Sequence, residues 1–145
     1  AFLGEVDEER TFFHGHTFTG NPLACAAALA SLDLFEGGRV IETLLAKTDR
    51  LAAGLAPLVS HPHVGQVRQR GLMVGIELVA DRRTRAAFPE ADRTGHRVIL
   101  AARRQGVILR PLGDVIVLLP PLSITPEEID LLTGVAARSI DEVTA

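Results

Sequence analysis

The sequence contains no tryptophan and no tyrosine, and only six phenylalanines among 145 residues. Its core must therefore be built from aliphatic side chains. There is one cysteine, Cys25, which excludes an intrachain disulfide framework and a cysteine-based zinc site. One cysteine also suits a reducing compartment. Lys47 is the single lysine, so nearly all positive charge is arginine. No run is long and apolar enough to span a bilayer. The net charge of -3 argues against a nucleic-acid platform. The acidic start AFLGEVDEER does not read as a signal peptide. It begins without methionine or a capping signal, and the chain is expected to be a piece of something longer.

What is present suffices for a folded domain. Apolar residues make up 47% of the chain, too many for a disordered one. Asn21-Pro22 is an N-cap followed by proline at the first helical position. The helix after it, LACAAALASLDLFE, is apolar on nearly every face, so both sides are expected to be covered. Gly37-Gly38 stops it. A second helix is expected over about 39 to 57, with Val40, Ile41, Leu44, Leu45, Leu51 and Leu55 in one stripe. VGQVRQRGLMVGIELV reads as extended, with Gly71 and Gly75 marking a bend or close backbone approach. A charged loop, 81 to 92, leads to a third helix ending near 105, with Gly106 beyond it. VILRPL and VIVLLPP flank Gly113-Asp114, a two-residue hairpin signal. Thr125-Pro126-Glu127-Glu128 is a capping box that opens a last helix burying Ile129, Leu132, Val135, Ala136 and Ile140. Antiparallel strands with helices to one side make an α+β layer.

Two places could carry chemistry. HGHTFTGNP, residues 14 to 22, offers backbone N–H groups and hydroxyls before a helix start, the donors a phosphate requires. The spacing fits neither a P-loop nor a dinucleotide fingerprint, so the residues alone leave a capped turn as the alternative. Arg110 lies in an apolar strand, where its charge must reach water, a carboxylate or a ligand anion. A guanidinium suits a carboxylate gripped by two parallel bonds. The alternative is an edge-strand arginine that snorkels to solvent or pairs with Asp114. The pairs His14/His16 and His61/His63 lack a third ligand at useful spacing and read as surface-loop histidines rather than metal ligands. Cys25 reads as core packing. Lys47 falls on the polar side of its helix, where a solvated charge is the default.

FFHGHTFTGNPLACAAALASLDLFE resembles a segment of the class III aminotransferases, which depend on pyridoxal phosphate. A second block, RGLMVGIELV followed by GVILRPLGDVIVLLPPLSITPEEID, resembles the same family, in the family's order. With the helices between them the two blocks cover almost the whole chain. The resemblance implies the end of the large domain plus the small C-terminal domain of the type I pyridoxal-phosphate-dependent transferase fold. Residues 1–37 would close the large cofactor-binding domain, with phosphate loop and buried helix, and 38–145 would form the small domain. It implies that Thr17 binds the cofactor phosphate across the interface of a homodimer. It places the backbone of His16 at that phosphate and Gly15 against the substrate. It gives Arg110 the carboxylate of a keto-amino acid substrate.

The resemblance is nearest the biotin-pathway branch, which aminates 8-amino-7-oxononanoate to 7,8-diaminononanoate in the cytoplasm, usually with adenosylmethionine as donor. Lysine is another donor in that branch. The sequence departs from the family in lacking its Schiff-base lysine, the aspartate that pairs with the cofactor's pyridine nitrogen and the aromatic that stacks on its ring. The family's Schiff-base lysine precedes the HGHTFTG motif, and Lys47 follows it on a helix that matches no catalytic segment. No residue of this chain is therefore expected to be catalytic, and the chain alone is expected to be inactive. Another class III ω-aminotransferase, or an inert structural or dimerisation module, remains open as an alternative.

Overall fold

The local chemistry of Asn21-Pro22 sets the first element. In the computed structural model, which describes residues 4–10 and 14–145, helix α1 spans Pro22–Gly37. The Asn21 side-chain oxygen accepts the N–H groups of Leu23 and Ala24 at 3.0 and 3.1 Å. Pro22, which has no N–H to leave orphaned, takes the first helical position. At the other end the Gly38 N–H donates to the Leu34 carbonyl. No residue of α1 is buried, and Leu23 is 82% exposed. Cys25 is exposed as well, which corrects the expectation of core packing. Small and apolar residues lie all round this helix, so it has no single core face. Phe12 and Phe13, at the head of the first resemblance block, lie outside the described residues.

The chain divides into two compact units, Ala1–Gly38 and Arg39–Ala145. In the second unit α2 spans Val40–Leu55, β1 Val64–Arg70 and β2 Met73–Leu78. After them come α3, Thr94–Arg104, then β3, Arg110–Leu112, β4, Val115–Leu118, and α4, Pro126–Thr144. The four strands form one sheet in the order β1-β2-β4-β3, antiparallel throughout. Gly71 and Gly113 turn the two hairpins with φ of +59° and +58°, a region costly for residues with a Cβ. Gly75, in contrast, makes no bend. It sits inside β2, opposite Arg68.

Strand alternation sends Val74, Ile76 and Leu78 of β2 and Ile116 and Leu118 of β4 into one core. The helices supply Leu51 and Leu55 from α2, Val98 and Ala102 from α3, and Ile129, Val135, Ala136 and Ile140 from α4. Helix α4 packs against both α2 and α3, and Thr125 and Glu128 close its capping box. This is the α+β layer expected from the sequence. The expected stripe on α2 is narrower. Leu44, Leu51 and Leu55 share a line, whereas at 3.6 residues per turn Ile41 and Leu45 fall about 60° and 100° round from it. They are 64% and 69% exposed. Lys47 lies on the opposite flank and is half-buried, its ammonium donating to the Leu122 carbonyl, so it is not a freely solvated charge.

Two contacts fix α4 on α2. Arg50 donates from Nε and Nη2 to the two carboxylate oxygens of Asp130, at 2.8 and 2.5 Å. Gly54 faces the buried Thr133, whose hydroxyl donates to the Ile129 carbonyl. A Cβ on Gly54 would lie 2.5 Å from that hydroxyl oxygen and 2.9 Å from two carbons of Thr133. Gly54→Ala gains up to about 1 kcal/mol of helix propensity. Overpacking against a β-branched, hydrogen-bonded side chain costs about 1–3 kcal/mol and prevails. The variant is expected to unfold at lower urea concentration than wild type; an unchanged or higher midpoint would refute the close contact.

The Arg50 hydrogen bond holds the Asp130 carboxyl below its ordinary value, against an opposing effect of burial. A lowered folded value means the contribution is complete above about pH 3.9 and is lost as pH falls through the lowered value. The stability difference between wild type and Asp130→Asn should therefore narrow on acidification below about pH 4. Urea titrations across that range will show it, and a difference that stays constant would rule the ion pair out as its source.

Candidate phosphate loop and carboxylate-binding hairpin

Residues 14 to 21 form a self-bonded turn. The His16 N–H donates to the Thr19 hydroxyl at 2.7 Å, and the Thr19 N–H returns to the His16 carbonyl at 2.9 Å. The Phe18 N–H donates to His16 Nδ1 at 3.2 Å, and the Asn21 N–H donates to the Phe18 carbonyl. Gly20 adopts φ +75°. Thr17 is left over. It is exposed, and among the described residues neither its N–H nor its hydroxyl has a partner. Gly15 and His16 are exposed beside it. A Cβ on Gly15 would meet nothing within 4 Å, so no described contact demands glycine there.

Arg110 opens β3, one of the two edge strands of the sheet in the second unit. It is exposed, and its guanidinium has no hydrogen bond or ion pair among the described residues. The expected alternative partner, Asp114, is engaged elsewhere: its carboxylate accepts the Gly95 N–H at 2.8 Å. Arg110 pairs with Val117 of β4, Val117 with Gly75 of β2, and Gly75 with Arg68 of β1. These four residues form one row across the sheet face opposite the core. The Arg68 guanidinium lies over Gly75, with Nη2 3.6 Å from where a Cβ would be. Leu112, Val115 and Met73 share that outer face. The result is an outer face of aliphatic side chains that also carries the guanidinium groups of Arg68 and Arg70, with the unpaired Arg110 guanidinium at its edge, a setting that suits a carboxylate on an aliphatic chain.

The class-III aminotransferase family model matches residues 3–140. The chain belongs to the class-III aminotransferases. It is 60% identical, over 99% of its length, to adenosylmethionine-8-amino-7-oxononanoate aminotransferase of Nitratidesulfovibrio vulgaris, and covers 27% of that relative. The crystal structure of the same-named enzyme from Methanocaldococcus jannaschii superposes with a TM-score of 0.87 at 45% identity, over 99% of this chain and 33% of the other. An (S)-enantioselective omega-transaminase from Thermomicrobium roseum gives a TM-score of 0.86 at 38% identity, over 94% and 31%. The chain thus spans about a third or less of the length of these relatives.

A class-III aminotransferase needs donors for the phosphate of its cofactor and an amine to react with the cofactor. Thr17, with N–H and hydroxyl both unengaged, fits the first requirement. Lys47 does not fit the second, since its amine is committed to the Leu122 carbonyl in a half-buried position. Thr17 lies in the first unit and Arg110 in the second. His61 and His63 have structural partners. His61 Nδ1 accepts the His63 N–H, so its Nε2 carries the proton donated to Asp141 at 3.0 Å. His63 Nδ1 lies 3.1 Å from the Val79 carbonyl, to which it donates, and its ring packs against Phe88. Both are half-buried rather than surface-loop side chains. The Asp81 carboxyl is held below its ordinary range by the N–H groups of Thr84 and Arg83, which makes it a turn-former. Sequence reasoning missed the contact of Gly95 with the hairpin turn. The available signal was a glycine at the second position of a helix with no capping side chain before it.

Proposed function

We propose that this chain is the C-terminal part of a pyridoxal-phosphate-dependent aminotransferase that converts 8-amino-7-oxononanoate to 7,8-diaminononanoate in biotin biosynthesis. Residues 1–37 close the large domain and 38–145 form the small one. The observation that supports it most is Arg110, an unpaired guanidinium at the edge of a sheet face with aliphatic side chains, in a chain so similar to an enzyme named for that substrate. Adenosylmethionine is the amino donor on this reading, and the enzyme is a cytoplasmic homodimer. Likeness to an omega-transaminase supports a second reading, in which the amine acted on is different.

The cofactor, when bound, supplies the carrier for the amino group and the sink for the electron pair released at the substrate carbon. The chain's own residues bind and orient. The Thr17 hydroxyl and N–H hold the phosphate of the cofactor in the neighbouring subunit, with the His16 backbone alongside. Gly15, whose Cβ position is empty, leaves room for substrate. Arg110 grips the substrate carboxylate with two parallel bonds, which fixes the distance from the carboxylate to the keto carbon. The reactive lysine comes from a part of the enzyme outside these residues, so the chain alone is inactive.

A charge-assisted hydrogen bond contributes about 1.5–3 kcal/mol, roughly 10- to 150-fold in affinity. In the complete enzyme Arg110→Ala should raise KM for the keto acid by that factor and leave KM for the donor much less changed. Equal losses for both substrates would remove Arg110 from the role. Thr17→Val should weaken retention of pyridoxal phosphate, measured as cofactor released on dialysis. Unaltered retention would exclude Thr17 as a phosphate ligand.

A further inference from the structure

The hairpin that carries Arg110 is tied to the start of α3. The Gly95 N–H donates to Asp114 Oδ1 at 2.8 Å, in a half-buried position. A Cβ on Gly95 would lie 2.2 Å from the Gly113 carbonyl oxygen and 3.1 Å from Asp114 Cα. Both are backbone atoms, so no side-chain rotation could relieve the clash and the turn itself would have to move. The Asp114 carbonyl also accepts the Leu78 N–H at 2.8 Å. One residue of the turn is thus held by a helix through its carboxylate and by β2 through its backbone.

Two consequences reach Arg110. Strand β3 is three residues long and, among the described residues, pairs only with β4, so the anchored turn at its end restricts where Arg110 can sit. Asp114 is also the only carboxylate between Val107 and Ile124, and by sequence it is the anion nearest to Arg110. Turned towards α3, it leaves the guanidinium unneutralised. An arginine already paired with a protein carboxylate would have to break that pair before it gripped a ligand.

We propose that Gly95 and Asp114 are positioning residues: their contact fixes the β3–β4 hairpin and diverts the Asp114 carboxylate from Arg110, so that the guanidinium stays aimed and open for the substrate carboxylate. The proposal rests on the assignment of Arg110 to that carboxylate.

The test uses the complete enzyme with Gly95→Ala, Asp114→Ala, Asp114→Asn and Arg110→Ala. Misplacing a gripping group by about 1 Å can cost up to about 100-fold. Gly95→Ala and Asp114→Ala should raise KM and the calorimetric Kd for the keto acid at least about tenfold on that basis, with the donor KM within about threefold of wild type. Asp114→Asn keeps an oxygen acceptor for the Gly95 N–H and should restore keto-acid binding. Amide hydrogen exchange at Arg110 and Val117 should quicken in Gly95→Ala and Asp114→Ala but not in Asp114→Asn. If Gly95→Ala does not fold, the two Asp114 variants decide. A raised keto-acid KM in Arg110→Ala with none in Gly95→Ala or Asp114→Ala overturns the positioning role alone. Asp114→Asn as impaired as Asp114→Ala overturns it too. No effect of Arg110→Ala overturns both the positioning role and the assignment beneath it.

Discussion

The sheet of the second unit has one face committed to a core, and the position of every candidate residue in that unit follows from this. Side chains alternate along a strand. Once Val74, Ile76, Ile116 and Leu118 are under the helices, the residues between them must face the other way. Val117, Gly75 and Arg68 are outward for this reason, and Arg110 joins them through its pairing with Val117. A slip of one residue between β3 and β4 would turn Arg110 towards an aliphatic core, where an unpaired charge is prohibitively costly. Burial of the core and presentation of the guanidinium are therefore one constraint seen from two sides.

The first unit follows a different logic. Helix α1 has an ordinary start, with Asn21 and Pro22 satisfying the exposed N–H groups, yet none of its residues is buried. The turn before it consumes most of its own donors internally. His16, Phe18 and Thr19 each spend an N–H within the turn, and Thr17 does not. Local bonding thus leaves Thr17 with both an N–H and a hydroxyl to offer, beside the N–H groups of Gly15 and Gly20. That is the pre-organisation a phosphate site needs, since the donors incur no reorganisation cost when the anion arrives.

Much of this was legible from residue types. The hairpin at Gly113-Asp114, the stop at Gly37-Gly38 and the capping box at Thr125 rest on local backbone chemistry, so they form where local rules place them. The α2 stripe was only half legible. Its apolar residues are real, but composition does not say that Ile41 and Leu45 lie too far round the helix to reach the core. The half-buried positions of Lys47, His61 and His63 were not legible either. Each depends on a carbonyl or carboxylate distant in sequence: Leu122, Asp141 and Val79.

The sequence by itself determined the element order, the layer and the family, because capping residues, turn glycines and apolar periodicity act over a few residues and survive in any surroundings. It also determined that Arg110 needed an anion or water, from the cost of burying its charge. Which of these it meets was decided only by the tertiary structure. Asp114 is four residues away and electrostatically suited, and the packing of α3 against the turn gives its carboxylate to the Gly95 N–H instead. That choice depends on a backbone-to-backbone approach which a single methyl group would prevent, and no local pattern in the chain encodes such a distance.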